Sequence, residues 1–357
     1  MAGGAVGLGN MWRFPYLVGK NGGAAFILVY LLFVVFLCLP ILVSEYALGR
    51  RTQKNAFGAF KMLSKNKSWS LIGIFAVLAA VCVLSFYCVV GGWSVKYLVE
   101  SCKFNMPILD SSYFTGFISS SFAPVIYTLI FLALTGSVLV LGIQKGIERF
   151  SKVMMLLLCL LIILIAIRSV TLPGAMEGMK YLFVPNLNAL NGKALLEALG
   201  QSFFSLSIGC GTVLTYGSYV SKKENIITTS FMIAAFDTLF ALVAGIAIIP
   251  AVFAIAYMNG ATPEIGAGPG LVFITLPSVF NAMPMGNIVA ILFFVTLLIA
   301  AITSAISLME TFVTYEIEEW KLSRTKSVLL AFAICSVLGI ICSLSQGVLS
   351  NVRLFGY

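Results

Sequence analysis

No histidine occurs in the 357 residues. That single absence removes Ser–His and Cys–His nucleophilic devices and most zinc sites. Charge is scarce too: Asp, Glu, Lys and Arg together make up 10% of the chain against 60% apolar residues, and mean hydropathy is +1.05. So little polar surface cannot cover a soluble globule of this length, and the chain reads as an integral membrane protein. Cysteine is nearly missing from the loops. Seven of the eight cysteines (Cys38, Cys82, Cys88, Cys159, Cys210, Cys335, Cys342) fall in apolar segments and Cys102 alone in an outer loop, which excludes a disulfide framework and CxxC metal sites. No Walker-type loop follows a strand and no acid pair is spaced for hydrolysis, so an enzyme is not expected, nor an organic cofactor. The pattern of a cleavable signal peptide, a basic stretch ahead of a short apolar run, is not visible either.

Long uncharged runs are what the sequence has in abundance. They cover 21–44, 68–95, 111–144, 153–167, 198–221, 238–263, 265–309 and 327–352, most of them longer than the ~20 residues a helix needs to cross bilayer hydrocarbon. Alternation of polar and apolar residues over roughly ten-residue pieces, the mark of a membrane β-barrel, is nowhere seen. The expected parse is all-α with nine segments: 1–19, 23–49, 70–99, 120–142, 146–171, 192–219, 225–257, 285–316 and 325–347. The loops after the second, fourth, sixth and eighth segments hold fourteen of the 22 Lys and Arg, from Arg50 and Arg51 to Lys326. By the positive-inside rule these loops, and the N-terminus, are cytoplasmic. The net charge of +9 therefore reflects topology and contact with the anionic lipid bilayer. Basic residues scattered over short loops without stacking aromatics give no nucleic-acid surface. The first segment begins almost at its glycines and an odd span count leaves "SQGVLSNVRLFGY" outside, so a fragment of a longer chain is expected.

Gly3, Gly4, Gly7 and Gly9 crowd the first segment. Glycine costs ~1 kcal/mol in a helix interior relative to alanine, so this density disfavours an unbroken helix. Two readings are open: close helix packing, for which Gly3 and Gly7 have the spacing, or a helix interrupted in mid-membrane whose bare peptide groups serve a ligand. Segment six, "LGQSFFSLSIGCGTVLTYGSYVS", favours the second, since its centre combines hydroxyls with Gly209 and Gly211. Interrupted spans standing five segments apart point to an inverted-repeat transporter with its site near the bilayer midplane.

The motifs "GGAVGLGNMWRFPYLVGKNGGAAF", "PILVSEYALGR", "GQSFFSLSIGCGT" and "AAITSAISLMETF" resemble the neurotransmitter:sodium symporter family, specifically its bacterial LeuT-like amino-acid transporters. The resemblance runs from the first residue to about 347. It implies a LeuT-type inverted repeat with discontinuous first and sixth transmembrane helices, a single transporter domain over 1–357 with a first repeat of about 1–171 and an incomplete second of about 192–357. It implies sodium as the coupling ion, one or two per cycle, an amino acid as substrate, a monomer or homodimer, and a multi-pass protein of the bacterial inner membrane.

Carried over residue by residue, the resemblance assigns one sodium site to the main chain of Ala5 with Asn10, Ser205 and Asp237, and a second to carbonyls of Gly3, Val6 and Ala300 with the hydroxyls of Thr303 and Ser304. Oxygen ligands suit a hard cation. Ordinary back-bonding to the preceding turn is the alternative for Thr303 and Ser304. The substrate carboxylate is expected at the amides around Gly7 and Leu8 and at the Tyr87 hydroxyl, beside Ala5, and its ammonium at span-six carbonyls near Phe204 and Ser207. Val83, Tyr87, Phe204, Ser207, Cys210, Ser304 and Leu308 would line the side-chain pocket. Cys210 stands where the family's prototype has phenylalanine, which frees volume for a large hydrophobic or aromatic side chain. Arg13, Tyr87 and Phe204 are the expected outer gate, and "MNGATPEIGAGPGLVFITLPSVF" resembles the family's outer lid.

Asp237 carries a local argument of its own. An acid thirteen residues before Pro250 in an apolar segment costs at least ~2.5 kcal/mol unless it faces a cavity or a partner. The alternative is a segment that begins only near residue 235. Many relatives carry a neutral Asn there and the chloride-dependent ones hold an anion beside it, near the positions of Tyr30, Gln201 and Ser205. A carboxylate at Asp237 would supply that charge, so chloride-independent symport is expected. Glu45, Glu197 and Glu310 read as buried structural partners or helix-end acids. The rival class is a channel or a non-transporting sensor or accessory protein on the same fold. A channel would show a continuous polar stripe, and a sensor would lose the sodium ligands.

Overall fold

The computed structural model describes residues 6–103, 111–142, 147–221, 223–263, 268, 270–281, 285–350 and 352. Helices and their connections account for all of them, with no strand among the described residues. The chain enters at a π-helical turn, Gly9–Arg13, which runs into the short helix α1 (Phe14–Lys20). A turn through Gly22 and Gly23, both at positive φ, leads to α2 (Ala24–Thr52). Pro40 in α2 has no N–H to give the preceding turn, and that turn widens into a π-helical stretch at Val34–Cys38. The short helix α3 (Ala56–Leu63) is capped by Asn55, whose side chain accepts the Gly58 N–H at 3.0 Å.

Next come α4 (Ser70–Ser101), α5 (Ser111–Ser119), α6 (Ala123–Val140) and α7 (Arg149–Val170). After α8 (Ala175–Phe183), the helix α9 (Gly192–Ser205) starts at an Asn191 cap and ends in mid-segment, and α10 (Thr212–Ser218) follows after six intervening residues. Two long helices, α11 (Ile226–Met258) and α13 (Gly286–Glu319), flank the short α12 (Leu271–Asn281), and α14 (Arg324–Leu344) follows.

Seven of these helices are long and apolar enough to cross a membrane. The other two expected spans are the first and the sixth, which appear as pieces. α9 has 14 residues and α10 has 7, about 21 and 10 Å at 1.5 Å per residue, so neither reaches across ~30 Å of hydrocarbon alone. The ends of the seven long helices differ from the expected ones by no more than three residues, with α13 running on to Glu319 and α6 ending at Val140.

Burial separates an inner from an outer set of helices. The most apolar window of α13 is 72% buried and that of α11 67%, against 33% for α2 and for α7, so α13 and α11 form the interior while the outer faces of α2 and α7 meet lipid. α4 and α13 form the most extensive helix pair. Close approach of α2 to α10 depends on Gly49, where a Cβ would stand 2.0 Å from the Leu214 carbonyl oxygen. α8 reaches the proline bend of α11 in the same way, since a Cβ on Gly178 would lie 2.6 Å from the Pro250 Cα. At the end opposite the basic loops, Phe273 of α12 stacks on Phe114 of α5 at 5.6 Å and meets Trp93 and Tyr97 of α4 edge-on, which seats the expected lid segment on an aromatic floor. All eight cysteines are free.

Candidate functional site

The site forms where both broken spans face α4, α11 and α13. Gly3 and Ala5, two expected sodium ligands, lie outside the described residues. From Val6 onward the first span bends before it coils, and its peptide groups find unusual partners. The Gly7 N–H donates to Oδ1 of Asn10 at 2.9 Å, and the Leu8 N–H donates to the Tyr87 hydroxyl at 2.9 Å. The two amides expected to meet a substrate carboxylate thus bind side chains of the protein here, and the Tyr87 hydroxyl is one of the two acceptors. Gly7 serves close packing as well, because a Cβ there would lie 2.2 Å from Oγ of Ser304 and 2.6 Å from the Tyr87 hydroxyl.

Asn10 is the hinge of a fully buried polar cluster. Its Nδ2 donates to Oδ1 of Asp237 at 2.7 Å, to the Asp237 carbonyl at 3.1 Å and to Oγ of Ser205 at 3.2 Å, while the Ser205 hydroxyl donates to Oδ2 of Asp237 at 2.7 Å. Both carboxylate oxygens of Asp237 therefore have partners, one from each broken span. α11 begins at Ile226, eleven residues before Asp237, and the acid is 0% exposed. The helix thus starts well before residue 235, against the alternative of a segment beginning there. Side-chain oxygens of Ser205 and Asp237 meet at this buried point, with Asn10 turning its amide nitrogen to them and its oxygen to the Gly7 N–H; oxygen donors of this kind suit a hard cation.

A second oxygen cluster ties the first span to α13. The Ser304 hydroxyl donates to the Val6 carbonyl at 3.0 Å, and the Thr303 hydroxyl lies 3.5 Å from the same carbonyl and 3.1 Å from that of Ala300. Thr303 also bonds back to Ile299 at 3.0 Å. Thr303 thus makes the ordinary back-bond to the preceding turn, while both hydroxyls converge on the Val6 carbonyl.

The break in span six has a definite geometry. Ile208 N–H donates to the Phe203 carbonyl at 3.1 Å and Ser207 N–H to that of Phe204 at 3.2 Å, the bond pair of a Schellman end in which Ser207, at φ 54°, takes the left-handed position usually given to glycine. Gly209 and Gly211 follow at φ 83° and 70°. The Gly209 N–H, freed by the break, donates to Oε1 of Glu45 at 2.8 Å.

Between the breaks lies a small cavity of about 40 Å³ lined by Gly7, Gly9, Val83, Tyr87, Phe204, Ser205, Ser207, Cys210, Ser304 and Leu308. Eight of the ten residues expected at a substrate site are on its wall. Leu8 is next to it through the Tyr87 bond, and Ala5 is not described. At its outer rim the Arg13 guanidinium sits 5.1 Å from the Phe204 ring centre and donates to Oε1 of Gln201 at 2.9 Å; Nε2 of Gln201 donates in turn to the Gly9 carbonyl at 3.1 Å. Gln201 therefore bridges the two broken spans.

Glu197 and Glu310 have protein partners. Glu197 receives Lys20 at 2.6 Å and Asn21 at 2.8 Å, joining the outer ends of α1 and α9. Glu310, in the basic half of α13, receives Arg324 through both oxygens at 3.1 and 2.7 Å and the Tyr219 hydroxyl at 2.8 Å. Sequence reading did not join Tyr219, Glu310 and Arg324, and the left-handed Ser207 carried no mark in the sequence. Among the described residues no group of three or more Cys, Asp or Glu could hold a metal ion by itself.

Comparison with known proteins agrees with this fold. The profile of the sodium:neurotransmitter symporter family matches residues 1–123 and 118–357. An uncharacterised sodium-dependent transporter of Bacillus subtilis, YhdH, is 42% identical over 99% of this chain and 78% of its own length. A second, from Haemophilus influenzae, is 36% identical over 100% of this chain and 80% of its length. Among solved structures, that of MhsT in complex with L-phenylalanine is similar at a TM-score of 0.90 and 42% identity, over 99% of this chain and 80% of that one.

Proposed function

The chain belongs to the sodium:neurotransmitter symporter family, a family of multi-pass sodium-dependent transporters and not of enzymes, and from that premise we propose that it imports a large hydrophobic or aromatic amino acid together with sodium, without chloride. The observation that carries the reading is the junction of Asn10, Ser205 and Asp237 between two interrupted helices, directly beside a cavity. Sodium is a substrate in this scheme. Oxygens of Asn10, Ser205 and Asp237 hold one ion with the main chain of Ala5; Val6, Ala300, Thr303 and Ser304 hold a second with the carbonyl of Gly3.

The substrate carboxylate takes the Leu8 amide and the Tyr87 hydroxyl, and its ammonium takes carbonyls near Phe204 and Ser207, so that the zwitterion bridges both breaks. Cys210 and Val83, with Leu308, receive the side chain. The likeness to a relative solved with L-phenylalanine supports this choice. Arg13 and Phe204 close the outer side. The basic loops face the cytoplasm of a bacterial cell, as does the N-terminus, and a first repeat of 1–171 rocks against a second of 192–357. Sodium entry drives uptake, each inward charge contributing ~2.3 kcal/mol per 100 mV. As fixed charge at Asp237 replaces an anion, chloride is dispensable.

Binding of labelled amino acids to the purified protein, in sodium or choline and in chloride or gluconate, tests the proposal. The expected result is sodium-dependent, chloride-indifferent binding competed best by phenylalanine, tyrosine, tryptophan or leucine. Stronger competition by glycine overturns the substrate class, and binding lost in gluconate overturns chloride independence.

A further inference from the structure

Outside the transport site, the junction of α2 with α11 on the basic side of the molecule combines a cationic groove with an apolar furrow. The groove has a volume of about 340 Å³ and is lined by Ala47, Arg50, Arg51 and Ile226. Its position is fixed by both helix ends: α2 stops at a left-handed Gln53, and α11 starts at Ile226 under an Asn225 cap whose side chain accepts the Ile227 and Thr228 amides. One guanidinium nitrogen of Arg50 donates to the Glu224 carbonyl, which pins this half-buried side chain across the groove.

Arg51, by contrast, is exposed and makes no hydrogen bond or ion pair to any described residue, and neither do the side chains of Lys54 and Lys223 close by in sequence. Glu224 supplies the one acid in the connection that leads into α11. The groove thus concentrates cationic forks that nothing in the described protein neutralises.

Directly above Ile226 the surface of α11 opens into an apolar furrow of about 510 Å³ that includes Thr228, Met232, Ala235, Phe236 and Leu239. Eleven residues separate Thr228 from Leu239, about 16 Å of helix at 1.5 Å per residue, which equals half of a ~30 Å hydrocarbon core. Its length is that of an acyl chain in one leaflet. Met232 and Leu239, 64% and 60% exposed, present the furrow to lipid. Arginine pairs with a phosphate diester through two parallel N–H bonds, and basic pockets between transmembrane helices on the cytoplasmic side suit anionic headgroups.

We propose that the Arg50–Arg51 groove and the α11 furrow together bind one anionic glycerophospholipid of the cytoplasmic leaflet, the headgroup phosphate on the arginine forks and an acyl chain along α11 from Thr228 to Leu239. The leaflet assignment rests on the orientation given under the proposed function; lipid binding itself requires no transport. Scattered lysines at the other basic loops would attract the same lipids without selecting one.

Native mass spectrometry of the purified full chain, titrated with phosphatidylglycerol or with phosphatidylcholine of the same chains, reads lipid binding without substrate and so is blind to failure of the transport reading. The expected result is one phosphatidylglycerol retained at least tenfold more tightly than phosphatidylcholine. The R50Q/R51Q protein loses that preference, while a K65Q/K326Q protein, with the same loss of charge elsewhere, keeps it. A235W, which fills the furrow and leaves every charge in place, also weakens retention tenfold while melting at the temperature of the parent. Equal loss in K65Q/K326Q reduces the effect to general surface charge and overturns the proposal, as does undiminished retention in R50Q/R51Q or in A235W. Displacement of the lipid by millimolar inorganic phosphate, which has no chain to place in the furrow, overturns it too.

Discussion

Asp237 is held by one donor from each interrupted span, so it pins them together, and in the proposed scheme its charge is an ion ligand as well. Hydrogen bonds to a charged group contribute about 1.5–3 kcal/mol, or roughly ten- to a hundredfold in affinity. Asp237→Asn keeps the shape and removes the charge, and it is expected to raise the half-saturating sodium concentration at least tenfold and to make residual binding respond to chloride. Sodium titration in chloride and in gluconate reads both effects; an Asn variant with parental sodium affinity would remove Asp237 from the ion site. Ser207 gives a second prediction at this scale. A side chain in the left-handed region costs about 1–2 kcal/mol, most for β-branched residues, so the order of thermal stability should be Ser207→Gly at or above the parent and Ser207→Val below it by several degrees. Its depth in an apolar span made Asp237 legible in the sequence and the hydroxyls at the centre of segment six drew attention to Ser205, whereas Asn10 came only from the family resemblance. Serine at a left-handed turn announces nothing, since its chemistry is that of many helix and loop positions.

Helix ends and helix contacts carry the next level of argument. The two interruptions were legible because glycine clusters in the first and sixth spans contradict helix formation at places where the apolar runs demand it. Which glycines permit unwinding and which permit contact was not legible. Gly49, in the unremarkable "YALGRR", turns out to set the spacing of α2 and α10. Gly49→Ala forces a methyl group onto the Leu214 carbonyl, and overpacking of this kind costs typically 1–3 kcal/mol; a lower melting temperature with ion and substrate affinities preserved in the surviving protein is the expected outcome. The Glu310–Arg324–Tyr219 cluster was out of reach of sequence reading because its members come from α13, the start of α14 and the end of span six. Its energetics are asymmetric. The Glu310 side chain is 0% exposed and that of Arg324 23%, so Arg324→Met strands a buried carboxylate at a cost of about 3–5 kcal/mol, whereas Arg324→Met with Glu310→Met removes both charges and recovers most of the loss. A melting series over the two single variants and the double variant tests this, and a double variant as unstable as Arg324→Met contradicts it.

On the scale of the whole molecule, the oxygen clusters span the first segment, α9, α11 and α13, so any ion seated in them fastens together elements that contribute the walls of the cavity. In the proposed scheme the substrate carboxylate and sodium each order the same broken ends. Coupling between two ligands is a free energy that belongs to the pair, and the factor by which sodium tightens the amino acid must equal the factor by which the amino acid tightens sodium. Overall topology followed from hydropathy and the basic loops, but this coupling is a property of tertiary contacts 195 to 298 residues apart, and it became legible only through the resemblance and the geometry together. The expected experiment is a thermodynamic square. Affinity for phenylalanine is measured at trace and at saturating sodium, and affinity for sodium at trace and at saturating phenylalanine, with choline maintaining ionic strength. If the ions complete the site, both edges change by the same factor, of tenfold or more, each tenfold corresponding to about 1.4 kcal/mol. Asp237→Asn should shrink both edges together, because the carboxylate is common to them, whereas Glu197→Gln, which loosens only the outer tie between α1 and α9, should leave the square intact. Phenylalanine binding that is equally tight in choline would show that the broken spans hold the amino acid without the ions, and the coupling would then have no physical carrier in this fold.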